Sequence, residues 1–179
     1  YDPVNVLQLT KEDIQQIIQA IEIKDERTYR NKVMLKTLYY TGMRSNEIRS
    51  LQYKQLKTID NKLKIKLFKT KSQKVQYIPI KTRLADLLLE YKNKVQEMFQ
   101  FDSMSNKYVF PSYFLKNKKM TNTGLNKIIK KLSKKTIGKH ITAHNFRHAV
   151  ITILLLEGVS LQNVSDFARH SSLKITKHY

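Results

Sequence analysis

Four short segments of the sequence place a cation or an imidazole among residues that begin helices or form turns. They are 41–47 (TGMRSNE), 69–74 (KTKSQK), 144–148 (HNFRH) and 168–172 (ARHSS), and the sequence ends at Tyr179. Attack on a phosphodiester requires cations and hydrogen-bond donors facing the non-bridging oxygens, an acid for the leaving oxygen, and a nucleophile. Taken together, these segments supply each of those groups and predict phosphodiester chemistry.

Four of the side chains suit the phosphate itself. The planar guanidinium forks of Arg44 and Arg147 match phosphate oxygens, and His144 and His170 can supply hydrogen bonds. Taken singly, Arg44 could instead form a local ion pair with Glu47, three residues on. His170 alone could simply offset the dipole at a helix end. The chemical interpretation therefore depends on the segments acting together.

Two further side chains suit the bond that breaks. Lys71, in a predicted turn, could give a proton to the leaving oxygen, and the hydroxyl of Tyr179 could form a covalent phosphotyrosine. A metal site is the alternative at His144 and His148, which lie four residues apart on a predicted helix. The residue after His144 is Asn145, however, not the glutamate of a metalloprotease motif. No carboxylate cluster for magnesium is evident, which argues against a two-metal nuclease.

Composition favours a globular protein that binds nucleic acid. The chain has 179 residues, enough for one ordinary domain, and its 41% of hydrophobic residues can bury a core. Lys and Arg number 34 against 14 Asp and Glu, and residues 103–156 contain ten Lys and one Arg without an acidic residue. Such a surface releases counterions from DNA or RNA, so salt-dependent binding is predicted. The absence of Cys excludes disulfides and thiolate zinc sites.

Hydrophobic periodicity predicts that helices and one β-hairpin position the four segments. One helix is predicted after Thr10, another from about residue 28 to 40 ending at Gly42, and a short one capped by Ser45. Alternating apolar residues predict two strands joined by the turn at 69–74. Later amphipathic helices are predicted within 84–98, 125–132, 146–154 and 161–168. The expected fold class is α+β, mostly α, as a single domain over 1–179.

The ordered motifs resemble the catalytic domain of the tyrosine recombinases, the phage-integrase and Xer-type enzymes. TGMRSNE is similar to their TG-hydrophobic-R-x-x-E segment, HNFRH to their H-x-hydrophobic-R-H, and ARHSS to their LGHSS. Tyr179 follows His170 by nine residues, the usual spacing to the nucleophile. KTKSQKVQYIPI resembles the family's hairpin and aligns Lys71 with the catalytic lysine. The likeness extends from about Leu9 to Tyr179 and implies the tyrosine recombinase catalytic fold.

The resemblance implies a site-specific DNA recombinase that serves integration, transposition or resolution. Tyr179 would attack a scissile phosphate to form a 3′-phosphotyrosyl link, and Lys71 would protonate the leaving 5′-oxygen. The two arginines and two histidines named above would bind the phosphate. Glu47 would orient Arg44, and His148 would either tune the site or pack in the core. Bond energy is kept in the covalent link, so neither ATP nor metal is required and no cofactor is expected.

The resemblance also implies a binding partner, an oligomeric state and a cellular location. Double-stranded DNA is the expected partner, bound by a homotetramer on two DNA sites when the protein is full length, in the cytoplasm at the bacterial nucleoid and without a membrane. The family's N-terminal DNA-clamping domain and the helix after the tyrosine are expected to be absent from this chain, so alone it could be a monomer. Arg169 stands where the family commonly has glycine, and it could contact DNA or be solvated. Further DNA contacts are expected at Lys69, Lys74, Lys127 and Lys131.

Two other functions fit part of the pattern. A type IB topoisomerase uses the same Arg-Lys-Arg-His-Tyr chemistry to relax supercoils as a monomer, but the LGHSS-like segment and the spacing to Tyr179 favour a recombinase. A non-catalytic DNA-binding module would keep the fold for recognition only. The intact set of six chemical residues argues against that module.

Overall fold

The computed structural model describes residues 9–68, 75–99, 107–113, 118–169 and 173–177. Within these ranges the chain is mostly helical, with a small three-stranded sheet and a separate two-stranded ribbon. The helices are α1 (Lys11–Gln19), α2 (Glu26–Thr41), α3 (Ser45–Arg49), α4 (Thr82–Phe99), α5 (Asn122–Ile137), α6 (Ala143–Leu156), α7 (Leu161–Ala168) and α8 (Leu173–Thr176). The strands are β1 (Leu56–Ile59), β2 (Lys62–Phe68), β3 (Val75–Pro79), β4 (Pro111–Ser112) and β5 (Lys118–Lys119). The predicted fold class is confirmed.

The structure confirms the predicted start of α1 after Thr10 and the predicted end of α2 at Gly42. The hydroxyl of Thr10 accepts the N–H of Asp13 at 3.1 Å, and the carboxylate of Asp13 accepts the N–H of Thr10 at 3.3 Å, a reciprocal capping box. Gly42 ends α2 with a φ of 54°, a left-handed conformation that favours glycine. A Cβ at Gly42 would lie 2.5 Å from Cε1 of Phe167, so the end of α2 packs directly against α7.

The predicted cap of α3 is wrong. Arg44 is the N-cap residue and the helix begins at Ser45. The reason is that Glu47 accepts the N–H of Arg44 at 2.7 Å, which satisfies the backbone at this helix start. The hydroxyl of Ser45 is used elsewhere and donates to Oδ1 of Asn122 at 2.6 Å.

The three-stranded sheet is larger than the single hairpin predicted from sequence. Strand β2 pairs antiparallel with β3, as expected, and also with β1. Asp60 and Asn61 join β1 to β2 with φ angles of 51° and 57°, the left-handed pair of a two-residue hairpin turn. Strand β1 was missed because its sequence, LKTI, has no clear alternation of apolar and polar residues. The helix α8 and the ribbon of β4 and β5 were also not predicted.

One face of the sheet carries lysines and the other packs on the core. Ile65 and Leu67 of β2 are buried, and three lysines alternate with them along the strand. The register places a fourth lysine, on β1, directly opposite Lys64. We call this set the lysine face: Lys57, Lys62, Lys64 and Lys66.

Packing of α6 against α7 determines where the later motifs lie. Ile151 of α6 forms a small buried cluster with Val164 and Ala168 of α7, apart from the main core. Phe146, also on α6, is buried in the main core. These contacts fix the C-terminal end of α7 beside α6. In the part of the chain that the structure describes, no helix combines the length and apolar character needed to cross a bilayer.

Candidate active site

The site is built where the C-terminal ends of α2 and α7 meet. The last carbonyls of a helix lack intrahelical partners and carry partial negative charge. Arg147 of α6 is buried between the two ends. Its Nη1 donates to the carbonyl of Gly42, and its Nη2 donates to the carbonyl of Ala168 at 2.5 Å. Arg147 therefore joins the two helix ends through groups that would otherwise lack partners.

Arg44 approaches the same point from the start of α3. Its Nη2 donates to the carbonyl of Arg169 at 2.8 Å, the next carbonyl after the one that Arg147 binds. Its side chain is 46% exposed, in contrast to the buried Arg147. The structure thus brings two sequence-predicted arginines to adjacent carbonyls, with one guanidinium enclosed and the other open to solvent.

Glu47 links Arg44 to a second cation. Its Oε2 accepts the backbone N–H of Arg44 and the Nη2 of Arg169, each at 2.7 Å. Its Oε1 accepts Nη1 of Arg44 at 3.3 Å. The local ion pair considered from the sequence is present, but it is one part of a shared carboxylate. We call Arg44, Arg147 and Arg169 the arginine cluster.

The predicted DNA contact at Arg169 is not supported by its placement. Its side chain is 7% exposed, and its Nη1 donates to the carbonyls of Thr41 and Phe167 at 3.3 and 3.1 Å. Burial lowers the pKa of this guanidinium, while the charge and hydrogen bond of Glu47 oppose that change. The residue is left-handed, with a φ of 54°, which costs a side-chain-bearing residue about 1–2 kcal/mol. The long side chain turns inward because these partners lie beneath it.

The N-terminal turn of α6 presents His144 next to α5. Thr142 and Asn145 form a capping box, which explains the asparagine that departs from the metalloprotease pattern. Oδ1 of Asn126 accepts the N–H of Ala143 at 2.9 Å and so ties this turn to α5. His144 itself is exposed at the second position of the helix.

A similar bond ties α5 to the start of α3. Asn122, which accepts from Ser45, and Asn126 thus connect the segment of Arg44 to that of His144. Nη1 of Arg49 adds a bond to the carbonyl of Met120 at 2.9 Å. Neither asparagine was predicted as part of the site, since nothing in the local sequence pattern distinguishes them from ordinary polar residues of a helix.

His148 lies one turn after His144 on α6 and is half-buried. Its Nδ1 is 3.4 Å from the hydroxyl of Thr152. Burial lowers the pKa of His148, and the charge of His144 lowers it further. The two histidines therefore differ in environment, with His144 facing solvent and His148 set against the helix.

Nearly the whole chain matches a known protein family. Residues 8–179 match the family model described as the Phage integrase family. The chain belongs to this family. Its members include relatives whose names state their class: tyrosine recombinase XerC of Bacillus pumilus is 29% identical over 174 residues, 96% of this chain and 55% of the relative.

Other phage-integrase relatives show similar levels of identity. Tyrosine recombinase XerD of Staphylococcus haemolyticus is 29% identical over 93% of this chain and 56% of its own length. Tyrosine recombinase XerC of Bacillus licheniformis is 30% identical over 96% of this chain and 55% of its own length. The chain spans about half the length of the curated relatives it matches.

Solved structures confirm the tyrosine recombinase catalytic fold. XerA recombinase superposes with a TM-score of 0.77 at 22% identity, over 96% of this chain and 57% of that one. XerH bound to its difH substrate gives 0.75 at 24% identity, over 95% and 49%. The Tn1549 transposon integrase in complex with circular intermediate DNA gives 0.74 at 18% identity, over 99% and 62%.

Several predicted residues of this phage-integrase chain cannot be placed in the site. Five residues with predicted roles lie outside the described residues. They are the predicted general acid Lys71, the predicted nucleophile Tyr179, and His170, Lys69 and Lys74. Lys127 and Lys131 are exposed on α5. Of the six residues assigned to the chemistry, the structure brings together Arg44 and Arg147 and places His144 on the same helix as Arg147.

Proposed function

We propose that the protein is a site-specific DNA recombinase that cleaves and rejoins strands through a 3′-phosphotyrosyl intermediate. The observation that carries this proposal is the convergence of Arg44 and Arg147 on the carbonyls of residues 168 and 169. Those carbonyls immediately precede His170 in the sequence. Family membership and the names of the recombinase relatives support the same function.

The arginines are suited to holding a phosphate before the reaction begins. Arg147 is held by two carbonyls and buried, so its orientation changes little when substrate arrives. Arg44 is held on one side by Glu47 and is exposed on the other, where a non-bridging oxygen could bind. Preorganised donors of this kind stabilise the charge that develops in the transition state. His144 would add a hydrogen bond from the start of α6.

The bond changes follow from the roles that the resemblance assigns. The oxygen of Tyr179 attacks phosphorus and its hydroxyl releases a proton to solvent, while the bond from phosphorus to the 5′-oxygen breaks. Lys71 gives a proton to that oxygen, and His170 donates a hydrogen bond to the phosphate. A 5′-hydroxyl from another strand then attacks the same phosphorus and returns a proton to Lys71. The bond from phosphorus to Tyr179 breaks, and the tyrosine oxygen takes up a proton from solvent. The number of phosphoester bonds is conserved, so no cofactor enters the balance.

Double-stranded DNA is the proposed partner. XerH was solved bound to its difH substrate, and the Tn1549 transposon integrase was solved in complex with circular intermediate DNA. The net charge of this chain is +20. We propose phosphate contacts at Lys69, Lys74, Lys127 and Lys131, and a homotetramer on two DNA sites for the whole protein, working at the bacterial nucleoid. Residues 1–179 would form its single catalytic domain.

Covalent trapping tests this function. The chain and its Tyr179→Phe variant are incubated without added metal with nicked duplexes that tile the source genome, and DNA that stays attached to protein in SDS is sequenced. We expect an adduct that depends on Tyr179 and maps to one site. Adducts spread over all sequences would favour a topoisomerase. Salt-dependent DNA binding without any adduct, repeated on the full-length protein, would favour a non-catalytic DNA-binding module.

A further inference from the structure

Arg169 occupies a backbone conformation that does not suit its side chain. Three non-glycine residues in the described ranges have a positive φ, and the other two are Asp60 and Asn61. Aspartate and asparagine tolerate this region because their short side chains bond locally, whereas arginine does not share that advantage. Glycine would fill the C-cap of α7 without strain. An arginine in this conformation indicates that its side chain makes a contact that offsets the backbone strain.

That contact reaches across the chain to the first predicted motif. Nη2 of Arg169 lies 2.7 Å from Oε2 of Glu47, a residue 122 positions earlier. Nη1 donates to the carbonyls of Thr41 and Phe167, at the ends of α2 and α7. The guanidinium is buried, so its position is determined by these partners rather than by solvent.

We propose that Arg169 is a positioning residue that holds Glu47, and through it Arg44, in the orientation required to bind the scissile phosphate. This inference rests on the proposed recombinase function. The contacts form a closed ring: Arg44 donates to the backbone carbonyl of Arg169, the guanidinium of Arg169 donates to Glu47, and Glu47 accepts from both the backbone and the side chain of Arg44.

The charges in this ring explain why a second cation helps. Glu47 carries one negative charge and lies between two guanidinium groups. If Arg169 were absent, the carboxylate would pair with Arg44 alone, offset its charge and draw it toward α3. With Arg169 present, Glu47 can orient Arg44 while a net positive charge remains for a phosphate. Arg169 therefore increases the net positive charge that Arg44 presents to a phosphate, without itself contacting the substrate.

Three substitutions at this position separate charge, contact and backbone strain. R169Q removes the charge, R169K keeps a cation beside Glu47, and R169G removes the side chain while relieving the left-handed strain. R27Q is the matched control, because Arg27 is an exposed arginine in the first turn of α2, at the opposite end of that helix from Thr41.

The first readout is the rate of covalent adduct formation on a nicked duplex at saturating protein. R169Q and R169G should cleave about tenfold more slowly than the parent, as expected for losing one charge-assisted hydrogen bond. R169K and R27Q should stay within about threefold of the parent. R169G relieves the left-handed strain that R169Q retains, and circular dichroism checks that each variant is folded. Parental cleavage by folded R169G would overturn the proposal.

The second readout follows Arg44 itself and needs no cleavage. In the free protein, bonds from Nη1 and Nη2 of Arg44 should slow rotation of its guanidinium and give resolved Nη–H signals in NMR spectra. R169Q and R169G should merge those signals, and R169K and R27Q should retain them. Unchanged Arg44 signals in R169G would overturn the proposal even if cleavage slowed. If neither the parent nor the full-length protein forms an adduct, the recombinase function fails, and the Arg44 signals alone decide whether Arg169 positions this side chain.

Discussion

The arginine cluster and the lysine face carry similar numbers of cations but hold them in opposite ways. In the cluster, Arg44 and Arg169 share Glu47, and Arg147 binds the end carbonyls of α2 and α7. On the lysine face, Lys57 lies directly opposite Lys64, and Lys64 is 3.7 Å from Asp60, a residue whose side chain is 86% exposed. Exposed pairs of this kind contribute little to stability.

The difference shows that the role of a cationic side chain in this protein depends on how its neighbours hold it, and not on its charge alone. A guanidinium held by two carbonyls has its direction fixed before a ligand arrives, whereas an exposed lysine must lose side-chain freedom on binding. We therefore expect substitutions in the cluster to change chemistry and folding, and substitutions of exposed lysines to change mainly the electrostatic attraction for DNA. Four predictions test this distinction.

The largest effect is expected for Arg147→Lys, which keeps the charge and removes the planar fork. An ammonium cannot bridge the carbonyls of Gly42 and Ala168 while also facing a phosphate, so adduct formation should slow by about 10²-fold. Single-turnover cleavage of a nicked duplex measures this. The reverse exchange on the lysine face, Lys62→Arg, is the control and should have no effect. A variant within about threefold of the parent would show that charge alone suffices in the cluster.

The next effect concerns the backbone that supports the cluster. Gly42→Ala adds a Cβ at a φ of 54° and within 2.5 Å of the Phe167 ring. Left-handed strain and overpacking together should lower the free energy of unfolding by about 2–4 kcal/mol. Gly138→Ala has the matched strain, at a φ of 69°, with nothing within 4 Å, and should lose only about 1 kcal/mol. Urea unfolding compares the two variants, and equal losses would mean that the α2–α7 contact carries no packing constraint.

A smaller effect separates lysines proposed to contact DNA from lysines that are merely exposed. Lys127→Gln with Lys131→Gln should reduce the steepness of log K against log salt by about 1.8, since each phosphate contact contributes about 0.9. Lys57→Gln with Lys62→Gln makes the same change of charge on the lysine face and should leave the slope near that of the parent. Equal changes in both double variants would assign the two surfaces the same role in binding DNA.

The parts of the fold that the sequence predicts are those determined by neighbouring residues. The capping box at Thr10, the left-handed Gly42 and the alternation in β2 each depend on contacts a few residues apart, and the structure contains all three. Arg169 shows the limit of this approach. Its charge suggested a DNA contact or a solvated side chain, but its partner Glu47 lies 122 residues away and can be found only once α7 is packed against α2.

The same limit applies within the candidate site. Motif spacing identified Arg44 and Arg147 as a pair, because their residue types suit a phosphate wherever the fold brings them together. Asn122 and Asn126 were missed, since their importance depends on the approach of α3 and α6 to α5. A sequence can predict the residues whose own side chains suit the chemistry. It cannot predict the residues of another helix that hold the segments carrying those side chains in place.

The smallest predicted effect concerns the half-buried His148 and the pH dependence of the free energy of unfolding. Burial and His144 hold the pKa of His148 below its ordinary value of 6.5. As pH falls through 6.5 the unfolded chain takes up a proton that the folded chain does not, so the free energy of unfolding should decrease, by at most about 1.4 kcal/mol per pH unit. Above that pH both states are neutral and the effect vanishes. Urea unfolding at pH 7.5 and 5.5 should show a smaller difference for His148→Gln than for the parent, and an identical difference would place His148 with the solvent-exposed cations instead.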